Sequence, residues 1–326
     1  MKQVTIYLGS HCNLQCPYCH RQAGADEQKG LPADFFARLQ ALQKDGPLKV
    51  KFMGGEPTLY FSTVQKVVQT VPKAHFAIAT NGVDLDKYLP YFRQHDFLLC
   101  LSYDGAPLDV RGHDPLSHLL DYPKLAISTT IYHGNTDFRA ILQRFAEKEK
   151  VIGRPLGFFP HIVHHTAQDN APYALTHEDY QLILRQWKEL ILELLDGYNK
   201  DIINWALVPL FRGLFERLEA NYQYGETYCV HRGLEKVGPD GKPVSCLYIR
   251  DLHLTSRWLE EQAALIDYMF PKCRKCPVYG MCGGGCHKSL DHELECGFYF
   301  DLYSWFQNLA DKKSVIWRLG DAIDQL

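Results

Sequence analysis

Apolar positions in the first half of the chain come in short runs set between polar stretches of helical period. QVTIYL over 3–8 reads as a buried strand that ends in a loop. The pattern returns at LKVKFM (48–53), HFAIAT (75–80), FLLCLS (97–102), LAISTTI (125–131) and LGFFPHI (156–162). Pro32 opens a helix with Phe35, Leu39 and Leu42 on one face, ending near Gly46, and further helices are predicted over about 62–71, 84–94, 114–120 and 137–149. Six strands joined by helical crossovers predict an α/β fold with a parallel sheet and right-handed connections. Periodicity does not say whether that sheet closes. An open six-unit barrel and a doubly wound sheet both fit.

The alternation stops at Thr176, where two long amphipathic helices are predicted, about 177–196 and 201–220, with Trp187, Trp205, Phe211 and Phe215 as core. After Tyr222 the texture turns rich in Gly, Cys and Pro, with an expected hairpin over about 229–249 turning at Gly238-Pro239-Asp240-Gly241 and a last helix over about 300–324. The expected organisation is therefore 1–222 and 223–326.

Composition narrows the function. The 326 residues are 46% hydrophobic, enough for a large core, and 35 basic against 38 acidic residues leave a net charge of −3. No basic excess points to nucleic acid, no apolar stretch reaches membrane-spanning length, and the N-terminus lacks a secretory cleavage pattern. A cytoplasmic protein is expected. The 11 cysteines stand out: three lie within 12–19, seven from 229 onward, and Cys100 alone lies between. An odd number in clusters, in a long chain with no secretory signal, reads as metal or iron–sulfur ligation rather than a disulfide framework.

Cys12-Asn13-Leu14-Gln15-Cys16-Pro17-Tyr18-Cys19 forms a CxxxCxxC loop just after the first strand. Such spacing lets one loop wrap three thiolates around a metal or a cubane cluster. On spacing alone, zinc with His11 or His20 as fourth ligand stays open. Gly54 and Gly55 permit close backbone approach at the end of strand two, and Glu56 supplies an acceptor for an ammonium group. Ser102 and Asp104, at the end of strand four, suit ribose hydroxyls.

The cysteine loop, Met53-Gly54-Gly55-Glu56-Pro57, Thr80-Asn81-Gly82 and Ser102-Tyr103-Asp104-Gly105 fall in order at successive strand ends, and this set resembles the radical S-adenosylmethionine (SAM) superfamily. The resemblance implies a partial (β/α)6 TIM-like barrel. It also implies that Cys12, Cys16 and Cys19 hold a catalytic 4Fe–4S cluster with one iron left for SAM. Tyr18, Gly54, Gly55, Glu56, Asn81, Ser102 and Asp104 would bind that cofactor, with Tyr18 either flanking the adenine or packing the loop.

Cys229, Cys246, Cys273-x2-Cys276-x5-Cys282-x3-Cys286 and Cys296 resemble the seven-cysteine SPASM signature, a C-terminal extension binding auxiliary iron–sulfur clusters. By resemblance Cys273, Cys276, Cys282 and Cys296 complete a distal cluster. Cys229, Cys246 and Cys286 hold a proximal one, with a fourth position that is open or filled by a non-cysteine group. A pair of structural zinc sites is the competing reading. Cys100, inside a strand, reads as a buried apolar thiol. His161, His164 and His165 end strand six as substrate contacts or as a solvated strand end, and Arg111 and Asp114 shape the mouth or form a surface pair.

The family generates a 5′-deoxyadenosyl radical, and its SPASM-bearing members commonly modify peptides or proteins. The resemblance thus implies a maturase of ribosomally made peptides that forms a crosslink, a thioether or a dehydrogenated residue. Its expected partners are the peptide and an electron donor such as flavodoxin or ferredoxin, with leader recognition by either a separate leader-peptide-binding protein or another surface, because strand one begins at residue 3. Sulfatase maturation fits less well: that branch places an Asp base after a cluster cysteine, whereas Cys246 is followed by Leu247 and Tyr248. A small-molecule radical oxidoreductase or epimerase, and a non-catalytic iron–sulfur electron-transfer protein, are the alternatives.

Overall fold

Strand and helix alternate as the apolar pattern predicts. The computed structural model describes residues 1–19 and 30–309, apart from 106–110, 113, 119–120, 154–155, 167, 201–203, 205, 232, 247–248 and 287–288. Strands β1 (Lys2–Tyr7), β2 (Leu48–Met53), β3 (His75–Thr80), β4 (Leu98–Ser102), β5 (Leu125–Ile131) and β6 (Phe158–Ile162) are separated by helices α1 (Ala33–Lys44), α2 (Phe61–Thr70), α3 (Leu89–Gln94) and α4 (Phe138–Ile152). Between β4 and β5 a single 3-10 turn, Pro115–His118, stands where a helix was expected.

The sheet runs β6-β5-β4-β3-β2-β1-β7. Its first six strands lie in chain order. A doubly wound sheet reverses direction at a switch point, and this one does not, so its winding is that of a partial (β/α)6 TIM-like barrel. The seventh strand, β7 (Leu234–Val237), corrects the expected hairpin. Residues 238–241 do turn, with Gly241 N–H donating to Gly238 O at 3.0 Å. Yet β7 runs parallel to β1, from Gln3↔Leu234 to Ile6↔Val237. The free ladder edge of β1 satisfies more backbone groups than the single bridge from Val237 to Pro243. The antiparallel pair is instead β8 (Val244–Cys246) with β9 (Ile249–His253).

By contacts the chain divides into two units: Met1–Tyr103 with Leu108–Ala126 and Cys229–Gln262, and Asp104–Pro107 with Ile127–Tyr228 and Ala263–Leu326. In the first unit β2 buries Leu48, Val50 and Phe52 and half-buries Lys49, Lys51 and Met53, the alternation of a sheet with one packed face. In β4, Leu99 and Leu101 take the packed row, which leaves Cys100 half-buried on the other row with Ser102. Phe52, Phe76 and Phe97 stack under α2 and α3, with ring centroids 5.2–6.4 Å apart.

The second unit adds α5 (His177–Asn199), α6 (Leu207–Ala220), α8 (Tyr279–Cys282), α9 (His292–Gln307) and the end of α7 (Trp258–Met269). Thr176 and Asp179 form a capping box at the start of α5, each side chain taking the other's backbone N–H. Trp187 meets Phe211 and Phe298 edge-on at 6.2 and 5.5 Å and is core as expected, with Phe211 fully buried. Trp205 and the side chain of Phe215 lie outside the described residues, as does the chain after 309, and α9 begins earlier than the predicted helix. Among the described residues no helix is long and apolar enough to cross a membrane.

Phe97 is fully buried and stacks on two phenylalanines. Phe97→Ala is expected to lower unfolding free energy by about 3–5 kcal/mol in urea denaturation followed by circular dichroism. Leu59→Ala, at a position 45% exposed, is expected to change it by no more than about 0.5 kcal/mol.

Candidate functional site

The cysteine loop starts as an extension of the sheet. Past the last ladder pair, Tyr7↔Met53, Leu8 N–H donates to Met53 O at 2.8 Å. Gly55 N–H then donates to Gly9 O at 2.8 Å and Glu56 N–H to His11 O at 2.7 Å. The Tyr60 hydroxyl accepts from His11 N–H at 3.0 Å. A Cβ on Gly55 would sit 2.1 Å from His11 O, and one on Gly54 would sit 2.7 Å from Gly9 O. The close approach that the glycine pair permits is thus, first of all, that of the cysteine loop's own backbone.

Glu56 faces inward. Its Oε1 accepts from Thr58 N–H (3.1 Å), Thr58 Oγ1 (2.8 Å) and Thr80 Oγ1 (2.9 Å), and its Oε2 accepts from Asn81 N–H (2.8 Å). Burial pushes the Glu56 carboxyl pKa up, against the pull of these donors. The carboxylate expected to receive an ammonium group is fully buried and clasps the ends of β2 and β3 together. Sequence reasoning gave Thr80 no role beyond its place in the Thr80-Asn81-Gly82 motif and did not single out Thr58 or Tyr60, which lie just past Met53–Pro57.

Asn81 joins that clasp to the cysteines. Its Nδ2 donates to Asn13 Oδ1 at 2.8 Å and to Cys12 Sγ at 3.7 Å. Leu14 N–H also points at Cys12 Sγ, at 3.4 Å, and Arg111 Nη1 donates to Cys16 Sγ at 3.8 Å. N–H groups aimed at two thiols are the setting in which thiolate ligands are stabilised, so the donor set fits an iron–sulfur cluster. Cys19 is exposed at the end of the turn, with its N–H on Cys16 O. Tyr18 is buried with the Arg111 guanidinium 5.5 Å from its ring centre. His20 lies outside the described residues.

Ser102 ends β4 half-buried. Asp104 is fully buried in the second unit, where Oδ1 accepts from Thr130 N–H at 3.0 Å and its carbonyl from Asn135 Nδ2 at 3.2 Å. Like Glu56, it turns its carboxylate toward the protein. Thr130 N–H would otherwise be a buried donor next to the strand end.

Within the second unit Cys273 lies near enough to Cys276, Cys282 and Cys296 for each to oppose its ionisation. Burial, then the neighbouring thiols, push Cys273 up to about 12 and Cys282 up to about 11. As thiolates they would repel one another, and a metal or an iron–sulfur core would offset that repulsion. Cys273 and Cys276 rest on a core of Tyr222, Ile266, Phe270 and Tyr279, and Tyr279 Oη donates to Glu226 O at 2.7 Å. Among the described residues no three His, Cys, Asp or Glu groups converge closely enough for a single metal ion, a convergence that ligands on separate corners of a cube do not require. Cys229 and Cys246 fall in the first unit and Cys286 in the second.

The histidines after β6 are not a solvated end. His164 Nδ1 meets Glu295 Oε1 at 2.8 Å and His165 Nδ1 meets Asp291 Oδ2 at 2.7 Å, which ties β6 to the first turn of α9, while His161 alone is exposed. Leu247 and Tyr248 lie outside the described residues.

A cysteine-bearing loop joined to a glycine-rich strand end, on a sheet wound in chain order, defines a protein of the partial-barrel class. Residues 6–113 match the Radical SAM superfamily, and the chain carries a Radical SAM domain. A cysteine-type anaerobic sulfatase-maturating enzyme of Clostridium perfringens is 23% identical over 92% of this chain and 94% of its own length. Three further curated relatives, an uncharacterized protein of Methanocaldococcus jannaschii and probable GTP 3',8-cyclases of Methanopyrus kandleri and Archaeoglobus fulgidus, are matched over only 29% to 41% of their own length. The fold is shared with native anSMEcpe solved with bound AdoMet and Cp18Cys peptide, at TM-score 0.63 and 19% identity over 99% of both chains. Streptococcus suis SuiB bound to precursor peptide SuiA shares it at TM-score 0.55 and 17% identity, over 87% of this chain and 71% of SuiB.

Gly55→Ala would place a methyl group against His11 O. It is expected to unzip the loop, raising amide hydrogen exchange at residues 55 and 56 by about tenfold or more, on the scale of one lost hydrogen bond. Gly213→Ala, in α6 with nothing within 4 Å of the added carbon, is expected to leave those amides unchanged.

Proposed function

We propose that this chain is a radical SAM enzyme that oxidatively modifies a peptide, as a maturase of a ribosomally made product. The observation that supports the reading is the backbone ladder from Gly9 and His11 to Gly55 and Glu56, which joins the start of the cysteine loop to the glycine pair. Cys12, Cys16 and Cys19 hold the catalytic cluster, while the strand ends at Gly54–Glu56, Asn81 and Ser102 and the Tyr18 turn frame the cofactor. Bound there, the reduced cluster and SAM supply a carbon-centred radical able to remove hydrogen from an unactivated carbon.

The protein's own residues orient and shield. Glu56 and Asp104 hold strand ends in place through buried hydrogen bonds, so that substrate and cofactor meet a fixed backbone. Cys273, Cys276, Cys282 and Cys296 hold an auxiliary cluster, and Cys229, Cys246 and Cys286 serve a second. Electron return through them suits a net two-electron oxidation. Peptide substrates are supported by the two neighbours of the same fold, each solved with a peptide. Sulfatase maturation is the weaker form of the reading, because Leu247 and Tyr248 follow Cys246 where that branch carries its Asp.

Protein reconstituted without oxygen, then given reductant and SAM, is expected to release 5′-deoxyadenosine, and Cys12→Ala to reduce release to background. Cys273→Ala is expected to keep part of that cleavage while losing the modified peptide. Equal loss of both activities would count against an auxiliary role. Co-expression in heavy water with a small peptide encoded beside the gene reads the reaction by mass: loss of two hydrogens supports crosslinking or dehydrogenation. A gain of deuterium alone means epimerisation, and an unchanged peptide moves the reading to a small-molecule substrate.

A further inference from the structure

Asn81 has one side-chain carbonyl and two amide hydrogens, and the structure uses them separately. Oδ1 accepts from the backbone N–H of Val83 at 2.9 Å. A backbone N–H only donates, so this bond settles which end of the side chain is oxygen. Nδ2 therefore faces the cysteine loop, one hydrogen for Asn13 Oδ1 at 2.8 Å and the other for Cys12 Sγ at 3.7 Å. The backbone N–H of the same residue is held by Glu56 at 2.8 Å, and Asn81 is only 6% exposed. Four contacts thus fix a donor that reaches Cys12 from a different strand.

We propose that Asn81 is a positioning residue that raises the reduction potential of the cluster held by Cys12, Cys16 and Cys19, through its N–H···S bond to Cys12. This rests on the reading above that these cysteines hold an iron–sulfur cluster. One-electron reduction adds negative charge, part of which falls on the ligand sulfurs. An N–H dipole aimed at one of them stabilises the reduced state more than the oxidised state. Leu14 N–H makes a similar bond, but from within the loop. The Asn81 bond makes the potential depend on the clasp between β2 and β3.

The test is a redox titration of the full chain, reconstituted without oxygen and followed by electron paramagnetic resonance, with dithionite and mediators supplying the electron. A full-length Cys12→Ala/Cys16→Ala/Cys19→Ala chain gives the auxiliary-cluster background for subtraction. Asn81→Ser keeps an oxygen for Val83 N–H but is too short to reach Cys12. It is expected to disfavour the reduced form about tenfold, equivalent to a potential about 59 mV lower for one electron. Asn81→Asp keeps the turn, replaces the donor with a carboxylate and is expected to lower the potential further.

A midpoint within about 18 mV of wild type (a twofold change in the reduced-to-oxidised ratio), in either variant that keeps the wild-type signal, overturns the proposal. Should neither variant take up the cluster, pulsed resonance on wild-type protein with side-chain nitrogen-15 asparagine decides. A nitrogen coupling to the reduced cluster supports the bond, and its absence overturns it. A wild-type signal no larger than the background chain's would instead sink the reading of Cys12–Cys19 itself, and this proposal with it.

Discussion

One ladder of backbone hydrogen bonds governs the site. The segment from Leu8 to His11 runs alongside Met53 to Glu56, close enough that neither Gly54 nor Gly55 has room for a side chain. A polar loop has little apolar surface to hold it down, so its placement must come from backbone pairing and from what the pairing brings near. Tyr60 anchors His11, and Glu56, fixed at the ladder's end, gathers donors from β3. The cysteines inherit their position from these bonds.

The same logic accounts for the two carboxylates. Glu56 and Asp104 sit in motifs whose resemblance assigns them to a cofactor, yet each is fully buried and accepts from the backbone of a neighbouring strand end. A buried charge is tolerated when donors surround it, and removing them leaves a costly orphan. Such residues fix the strand ends around them. Asn81 lies where that scaffold meets the chemistry, with its backbone in the clasp and its amide on Cys12.

The second cysteine group shows another solution. A short helix, a 3-10 turn and the first turns of α9 carry Cys273, Cys276, Cys282 and Cys296, backed by tyrosines and Phe270 rather than by a sheet. Burial first, and then neighbouring thiols, raise the pKa of Cys273 and Cys282, an opposition to ionisation that a shared cation would relieve. Beside Cys282 lies Arg217, whose guanidinium is 4.0 Å from the ring centre of Tyr228. A positive group there complements a thiolate-rich core.

The sequence by itself determined the strands, their order of appearance, the cysteine spacings and the motifs at successive strand ends, because each is written in local periodicity and spacing. Winding was beyond it: an unbroken β6 to β1 order and a reversed one share one apolar pattern, and only strand pairing separates them. Pairing also moved Leu234–Val237 from a hairpin to the edge of β1, and left Cys100 half-buried through the parity of its row. The direction in which Glu56, Asp104, His164 and His165 point was decided by partners from 24 to 131 residues away. A polar side chain in a sequence advertises the bonds it can make. Only the tertiary structure, by placing specific donors around a buried acceptor, decides whether those bonds face a ligand or the protein.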